Sequence, residues 1–352
     1  MNKENINYGF IDKIRPSDHI LGANSNEIRT VLFDDGDCTK YIPKWESQLG
    51  LYGDTFACCT YSSANCVETS LKGMADKDLL LKQILKELDL YDENKDINSS
   101  DRIIAKYSGT FYKDTDPYRG NYFTKVAEAW RKIGILADNK YPFPFRQRTP
   151  VFSIDEYYKD LTDELINESK KSLIYFKINY ILISVNEINF REQLKYGPIQ
   201  VSYNTSSPIV NGVYQNSSVY KKPNHAVMLY NKRKEDGICE VLDNYERDGQ
   251  GHTKFASDYK FGMYGLQYYI TSKINNNTYM SIKDGQMYLL VEGNEQKLGM
   301  GLNDSLIIYK EKVDTILNSA GRLGKFKAPT SVGLEDWNSV KHLNGKLEPL
   351  DK

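Results

Sequence analysis

The feature that most constrains the fold is a proline-free segment, residues 57–74, in which small or apolar side chains recur at intervals of three and four. These side chains belong to Ala57, Tyr61, Ala64, Val67 and Leu71. Such spacing predicts a buried helix. We expect Asp54 or Thr55 to be its N-cap, because short polar side chains accept hydrogen bonds from the first free N–H groups of a helix.

Helical patterns precede strand-like patterns along the chain. Further helices are predicted over residues 77–90, 122–133 and 156–171. Short runs of β-branched and aromatic residues bounded by turn signals predict strands over residues 173–183, 199–203, 226–230, 239–242 and 266–271. This order predicts an α+β fold with a helical half followed by a β half.

The composition narrows the classes of function. Lys and Arg total 46 against 47 Asp and Glu, for a formal net charge of -1, so a nucleic-acid partner or an anionic membrane surface is not expected. Five cysteines in 352 residues are too sparse for a disulfide scaffold and predict reduced thiols. The first residues contain no apolar signal core, and no apolar run approaches the ~18 residues of a membrane span, so synthesis in a cytoplasm is expected.

Three short patches carry candidate chemistry. Cys58 lies at the start of the predicted buried helix, His225 enters a predicted strand, and Asp243 follows the next one. A helix N-terminus and an adjacent imidazole both lower the pKa of a thiol, and the imidazole needs a partner on its second nitrogen to fix its orientation. Asn244 is the alternative third member, because an error of one residue in register exchanges it with Asp243.

These residues and their order resemble the papain-like cysteine peptidases. The family motif Gln-Gly-x-Cys-Gly-Ser-Cys-Trp-Ala-Phe-Ser carries a Glu ten residues after its nucleophile. Aligning Cys58 with that nucleophile places Tyr61 on the Phe, Ser62 on the Ser and Glu68 on the Glu, whereas aligning Cys59 loses two of these matches. Downstream, residues 196–202, 224–227 and 241–245 resemble the strand, histidine and asparagine motifs of the family.

The resemblance covers about residues 40–272 and implies a two-lobed α+β domain with a Cys58–His225–Asp243 triad. It implies cleavage of amide bonds in a protein or peptide through a thioester acyl-enzyme, with no cofactor and no metal. The oxyanion donor of the family, a Gln six residues before the nucleophile, falls on Tyr52. Gln48 takes that role if residues 50–53 are an insertion, and we favour Gln48.

The segment around Cys58 also resembles a group of phage-encoded papain-like proteins with the pattern Asp-Thr-x-x-Cys-x-x-Phe-Ser-x-x-Asn-x-x-Glu. The matching positions are Asp54, Thr55, Cys58, Tyr61, Ser62, Asn65 and Glu68. This resemblance implies a host cytoplasm or a virion as the location, and phage structural proteins as partners of the C-terminal region.

We therefore expect an N-terminal lead-in over residues 1–40, a catalytic domain over 41–272 and a small, mostly β appendage over 273–352. Within the appendage, Asp284-Gly285 between alternating runs predicts a hairpin, followed by a strand at 306–309 and a helix at 314–320.

Other candidate residues are expected to have structural and not catalytic roles. Cys59 and Cys66 are expected to pack in the core, Glu68 to be a satisfied structural carboxylate, and His252 to lie in an exposed polar loop. Two other functions remain open on the same fold. The chain is either a peptidoglycan-cleaving endopeptidase or a catalytically weak or inactive structural or interaction protein of a phage particle, with Tyr52 at the oxyanion position as the main reason for the latter.

Overall fold

The fold is seen in a computed structural model, which describes residues 9–10, 29–50, 53–91, 96–109, 120–143, 157, 161–186, 188–219, 221–245, 251–273, 279–283, 286–291 and 294–298. The helices are α1 (Cys58–Ala75), α2 (Leu79–Glu87), α3 (Asp101–Ser108), α4 (Phe123–Ile133), α5 (Asp163–Lys170) and α6 (Phe190–Leu194). The strands are β1 (Gly9–Phe10), β2 (Leu49–Gly50), β3 (Gly53–Asp54), β4 (Gly120–Asn121), β5 (Phe176–Ser184), β6 (Ile199–Tyr203), β7 (Ile209–Val210), β8 (Val213–Tyr214), β9 (His225–Lys232), β10 (Cys239–Leu242), β11 (His252–Phe255), β12 (Tyr264–Ser272), β13 (Tyr279–Lys283), β14 (Gln286–Val291) and β15 (Asn294–Leu298).

Eight of the described strands form one sheet, in the order β5-β12-β6-β9-β10-β11-β8-β7. Its central pairs, β12–β6, β6–β9 and β9–β10, are antiparallel. The main helices come before this sheet in the chain, so the predicted α+β class is confirmed. The last residue of β6, the first residue of β9 and the last residue of β10 lie at the same end of these central strands, and the predicted site residues occur there.

Helix α1 is buried on every side, and only Lys72 and Met74 are not buried. Buried serines of α1 donate their hydroxyls to carbonyls of the same helix, from Ser62 to Cys58 O at 2.6 Å and from Ser70 to Cys66 O at 2.8 Å. One core joins α1 to the sheet through residues such as Leu71, Val227 and Tyr268.

The predicted N-cap of α1 is wrong. Ala57 occupies the N-cap position and makes no side-chain cap. The side chains of Asp54 and Thr55 accept instead from Phe56 N and Ala57 N, because Phe56 adopts a left-handed conformation with φ 55° that ends the preceding strand in a tight turn.

Most other predicted elements are present, with shifted ends. Helix α2 starts at Leu79 because the Asp78 side chain caps Leu81 N at 3.0 Å. Helix α5 starts at Asp163 because Thr162 caps it, so the predicted helix at 156–171 is shorter among the described residues. Strands β6 and β10 match the predicted bounds, whereas α3, α6 and β11 were not predicted.

The end of the described chain contains an antiparallel sheet in the order β13-β14-β15. The predicted hairpin is therefore confirmed by the pairing of β13 with β14. The strand predicted at 306–309 and the helix predicted at 314–320 lie outside the described residues. Within the described ranges, no helix has the length and apolarity needed to cross a membrane.

Candidate active site

The three predicted site residues come together where the central strands of the sheet end beside the start of α1. Cys58 is the first residue of α1, His225 is the first residue of β9, and Asp243 directly follows β10. All three are 0% exposed. Their meeting follows from topology, because antiparallel pairing of β9 with β10 brings the start of one strand to the end of the other, and α1 packs against β9.

His225 and Asp243 form a direct pair. Nε2 of His225 donates to Oδ1 of Asp243 at 2.8 Å, and the second carboxylate oxygen accepts from the Tyr203 hydroxyl at 2.8 Å. The backbone N–H of Tyr245 also donates to Oδ1, at 2.9 Å. Burial alone would lower the pKa of His225, but the charge and hydrogen bond of Asp243, together with Cys58, raise that pKa to about 10. The pair therefore favours the imidazolium form.

The second ring nitrogen, Nδ1, is left for Cys58. Among the described residues Nδ1 makes no hydrogen bond of regular geometry, yet the thiol lies close enough to the ring to raise the pKa of His225. Burial raises the pKa of the Cys58 thiol well above its ordinary value, Cys59 adds to this effect, and His225 opposes it. The predicted lowering of the thiol pKa is thus absent in this enclosed state, because complete removal from water outweighs the imidazole.

The main chain of Asp243 is held firmly in place. Its N–H donates to Gly251 O at 2.7 Å, and its carbonyl accepts from Trp45 Nε1 at 2.7 Å. Gly251 has φ +73°, and a Cβ there would lie 2.1 Å from Trp45 Nε1 and 2.3 Å from Asp243 O. Only glycine fits this close approach.

Asn244, the alternative third member of the triad, is hydrogen-bonded to residues other than His225. Its Oδ1 accepts from Asn65 Nδ2 at 3.1 Å, and its Nδ2 donates to Glu46 O at 2.7 Å. Asp243 is therefore the residue that contacts His225, and Asn244 ties α1 to the segment before β2.

Gln48, the predicted oxyanion donor, is 0% exposed and bonds to residues adjacent to the triad in sequence or contact. Its backbone N–H donates to Asn244 O at 3.0 Å, and its carbonyl accepts from Thr55 N at 3.3 Å. Its side-chain Nε2 donates to Asp54 Oδ1 at 2.9 Å. The competing candidate, Tyr52, lies outside the described residues.

Several residues at the site were not predicted. The Tyr245 ring lies 4.5 Å from the His225 ring, and its hydroxyl donates to Asp54 Oδ2. Gln200 on β6 donates from Nε2 to Cys59 O at 2.6 Å and to Ser62 Oγ at 2.8 Å, which ties the sheet to the first turn of α1. The sequence signal for Gln200 was a glutamine between apolar residues of a predicted strand, while the contacts of the tyrosines depend on strand register.

The residues expected to have structural roles make hydrogen bonds outside the proposed triad. Glu68 is buried, and its Oε1 accepts from both N and Oγ of Ser99 at 2.7 Å. Burial raises the pKa of Glu68 to about 8 despite these two donors. The thiol of Cys59 donates to Asn121 O at 3.1 Å. His252 is exposed, as expected, but begins β11 rather than lying in a loop, and its Nδ1 contacts the Tyr230 hydroxyl at 3.1 Å.

No protein-family model matches the chain, and no curated protein matches it in sequence. Among solved structures, xylellain, a cysteine protease from Xylella fastidiosa, is 13% identical, with a TM-score of 0.47 over 76% of this chain and 98% of its own. Digestive procathepsin L 3 from the larval midgut of Tenebrio molitor is 11% identical, with a TM-score of 0.43 over 75% and 76%.

A cysteine protease from Carica candamarcensis is 12% identical to this chain, with a TM-score of 0.38 over 66% of this chain and 96% of its own. All three TM-scores lie below 0.5. The interpretation of the site therefore rests on the geometry of Cys58, His225 and Asp243 themselves.

Proposed function

We propose that the chain is a papain-like cysteine peptidase that uses Cys58 as nucleophile, His225 as acid and base, and Asp243 as the orienting carboxylate. One observation carries the proposal. A thiol at the first position of a buried helix lies close enough to an imidazole for each to shift the pKa of the other, and the other ring nitrogen is held by a buried carboxylate at 2.8 Å. This arrangement provides an activated nucleophile with a fixed proton carrier.

The reaction follows from these contacts. The reactive form is an ion pair, in which Cys58 is a thiolate and Nδ1 of His225 holds a proton, and the sulfur attacks the carbonyl carbon of an amide. As the C–N bond breaks, His225 gives its Nδ1 proton to the leaving amine, and a thioester on Cys58 remains. His225 then takes a proton from water, the resulting hydroxide attacks the thioester, and the thiolate and imidazolium are restored as the acid leaves. Asp243 stabilises the imidazolium in both halves of the cycle.

The negative oxygen formed during attack needs donors. As the first residue of α1, Cys58 has a backbone N–H with no acceptor inside the helix. The Gln48 side-chain amide is the second donor in this proposal, because Nε2 carries two hydrogens and Asp54 takes one of them. Each such donor typically contributes about 100- to 1,000-fold to the rate.

Protein or peptide is the proposed substrate class. The resemblance of the segment around Asp54 to phage proteins extends the proposal to a host cytoplasm or a virion, with phage structural proteins as partners of residues 273–352. Cleavage of a peptidoglycan cross-link uses the same chemistry, since it too breaks an amide. Product analysis on casein and on purified cell wall separates these substrates.

The test is acylation by p-nitrophenyl acetate, which needs no knowledge of side-chain preference. We expect a burst of one nitrophenolate per chain, with the acetyl group on Cys58 by peptide mapping. Cys58→Ser and His225→Ala should both abolish the burst, while Cys239→Ser, which removes another buried thiol, should retain it. Iodoacetamide should likewise label Cys58 fastest of the five cysteines, and only when His225 is present.

A second candidate is a non-enzymatic structural or interaction protein built on the same scaffold. The complete burial of Cys58, His225 and Gln48 favours it, because no substrate reaches these groups in the enclosed state. This candidate predicts no burst and equally slow alkylation of all five cysteines. Those two results together would refute the enzyme proposal.

A further inference from the structure

Asp54 lies four residues before Cys58 and accepts three hydrogen bonds at the candidate site. Oδ1 accepts from Phe56 N at 2.8 Å and from Gln48 Nε2 at 2.9 Å, and Oδ2 accepts from the Tyr245 hydroxyl. We propose that Asp54 is a positioning residue that fixes the Gln48 side-chain amide as an oxyanion donor. This inference rests on the proposed function, since it assigns a role within the same reaction.

The carboxylate is itself anchored at two points. The bond from Phe56 N–H closes the turn in which Phe56 holds a left-handed φ of 55°, so this donor is part of the backbone that leads to the nucleophile. The second anchor is Tyr245, whose ring lies against His225 at 4.5 Å and whose own N–H bonds to Asp243. The orientation of Asp54 is thus set by both the nucleophile segment and the histidine side of the site.

The end of the Gln48 side chain has no comparable anchor of its own. Its backbone is held by Asn244 and Thr55, but within the described chain its buried Oε1 has no hydrogen-bond partner. Asp54 is therefore the group that decides which way the amide faces. A flipped amide would place Oε1 opposite Asp54 Oδ1 at about the same separation, with two acceptors and no proton between them.

Holding the amide by one hydrogen leaves the other for the substrate oxygen. Preorganised donors stabilise an oxyanion because they need no reorientation when the charge develops. Without Asp54, the Gln48 amide could present either its NH₂ group or its oxygen to the substrate. The role of Asp54 is then to keep an acceptor away from the position where negative charge forms.

The experiment compares two reactions of the same thiol. Acylation by p-nitrophenyl acetate passes through an oxyanion, whereas alkylation by iodoacetamide is a direct displacement that forms none. Asp54→Ala should slow acylation by about 100-fold, close to the loss in Gln48→Ala, and change alkylation less than about threefold. The double variant should be within about threefold of Gln48→Ala, because the two residues act as one unit.

Two further variants separate position from charge. Asp54→Asn keeps an acceptor for Gln48 and Phe56 and can donate to the Tyr245 oxygen, so it should restore acylation to within about threefold of the natural chain. Tyr245→Phe removes one anchor without altering the turn and should lower acylation alone, by about three- to tenfold. Asp76→Ala is the matched control, because Asp76 also accepts a tyrosine hydroxyl, from Tyr41 at 2.8 Å, but is exposed and lies beyond the other end of α1.

Parallel losses of acylation and alkylation in Asp54→Ala and in Tyr245→Phe would overturn the inference, since Asp54 would then support only the fold. Equal losses in Asp54→Asn and Asp54→Ala would also overturn it. A natural chain that bursts while Asp54→Ala bursts equally fast overturns the inference but leaves the proposed function standing. A natural chain with no burst overturns both.

Discussion

Replacing Glu68 with glutamine is expected to remove a pH dependence from the stability of the folded chain. Glu68 lies within α1, is 5% exposed and accepts two hydrogen bonds from Ser99. Burial raises its pKa from 4.5 to about 8 in the folded protein. Because each pKa unit corresponds to about 1.4 kcal/mol, this difference has an upper limit of about 5 kcal/mol.

The sign follows from the direction of the shift. A carboxyl group whose pKa is higher in the folded state holds its proton there and loses it on unfolding. Its contribution to stability is complete below about pH 4.5 and is lost as the pH rises to about 8. From about pH 5 to about pH 8, the free energy of unfolding should therefore fall by about 3 to 4 kcal/mol more in the natural chain than in Glu68→Gln.

Urea denaturation followed by tryptophan fluorescence, to which the buried Trp130 contributes, measures this difference at several pH values between 5 and 9. Glu192→Gln is the control, because Glu192 forms an exposed ion pair with Lys195 at 2.7 Å and should leave the pH dependence unchanged within about 0.5 kcal/mol. Parallel curves for the natural chain and Glu68→Gln would refute the reasoning. So would a variant that is less stable by about 2 kcal/mol at every pH, which would mean that Ser99 binds an ionised carboxylate.

Three other changes test the site and its support. Asp243→Asn removes the charge beside His225 and should lower the pKa of His225 by at least about one unit. The alkaline limb of the pH dependence of the acylation rate should therefore move to lower pH, and an unchanged limb would contradict the assigned pair. Gly251→Ala should lower the free energy of unfolding by more than about 2 kcal/mol in urea, because a Cβ collides with the carbonyl of Asp243, and a neutral result would show that this loop yields. Gly73→Ala should cost about 1 to 3 kcal/mol through contact with the Phe33 ring at 2.6 Å, and Phe33→Leu should relieve that cost in the double variant, as thermal unfolding can check.

The sequence allowed prediction of those features that depend on local pattern. Helix α1 and strands β6 and β10 follow from periodicity, and the order of Cys58, His225 and Asp243 follows from motifs placed on those elements. The choice of Asp243 over Asn244 remained open, because one residue of register separates them. The structure shows the first bonded to His225 and the second bonded to Asn65.

Features that depend on long-range contact could not be predicted in this way. Asp54 and Thr55 are residue types that favour the N-cap position. Their side chains instead accept from the N–H groups of Phe56 and Ala57, in the left-handed turn that precedes the helix. The raised pKa of the Cys58 thiol reflects its complete enclosure, which no local pattern encodes. The contact of Tyr245 with Asp54 joins residues 191 positions apart, so only the folded chain shows it.

The burial of α1 on every side has a consequence for how the protein is made. A helix with no exposed face gains little from forming alone and is stabilised mainly by the sheet that packs on it. The partner strand β9 is synthesised 167 residues after Cys58 (225 minus 58), and such distant contacts form late in folding. An incomplete chain emerging from the ribosome therefore carries the thiol without its imidazole, and the cell that synthesises the protein is not exposed to the proposed activity until the β half is finished.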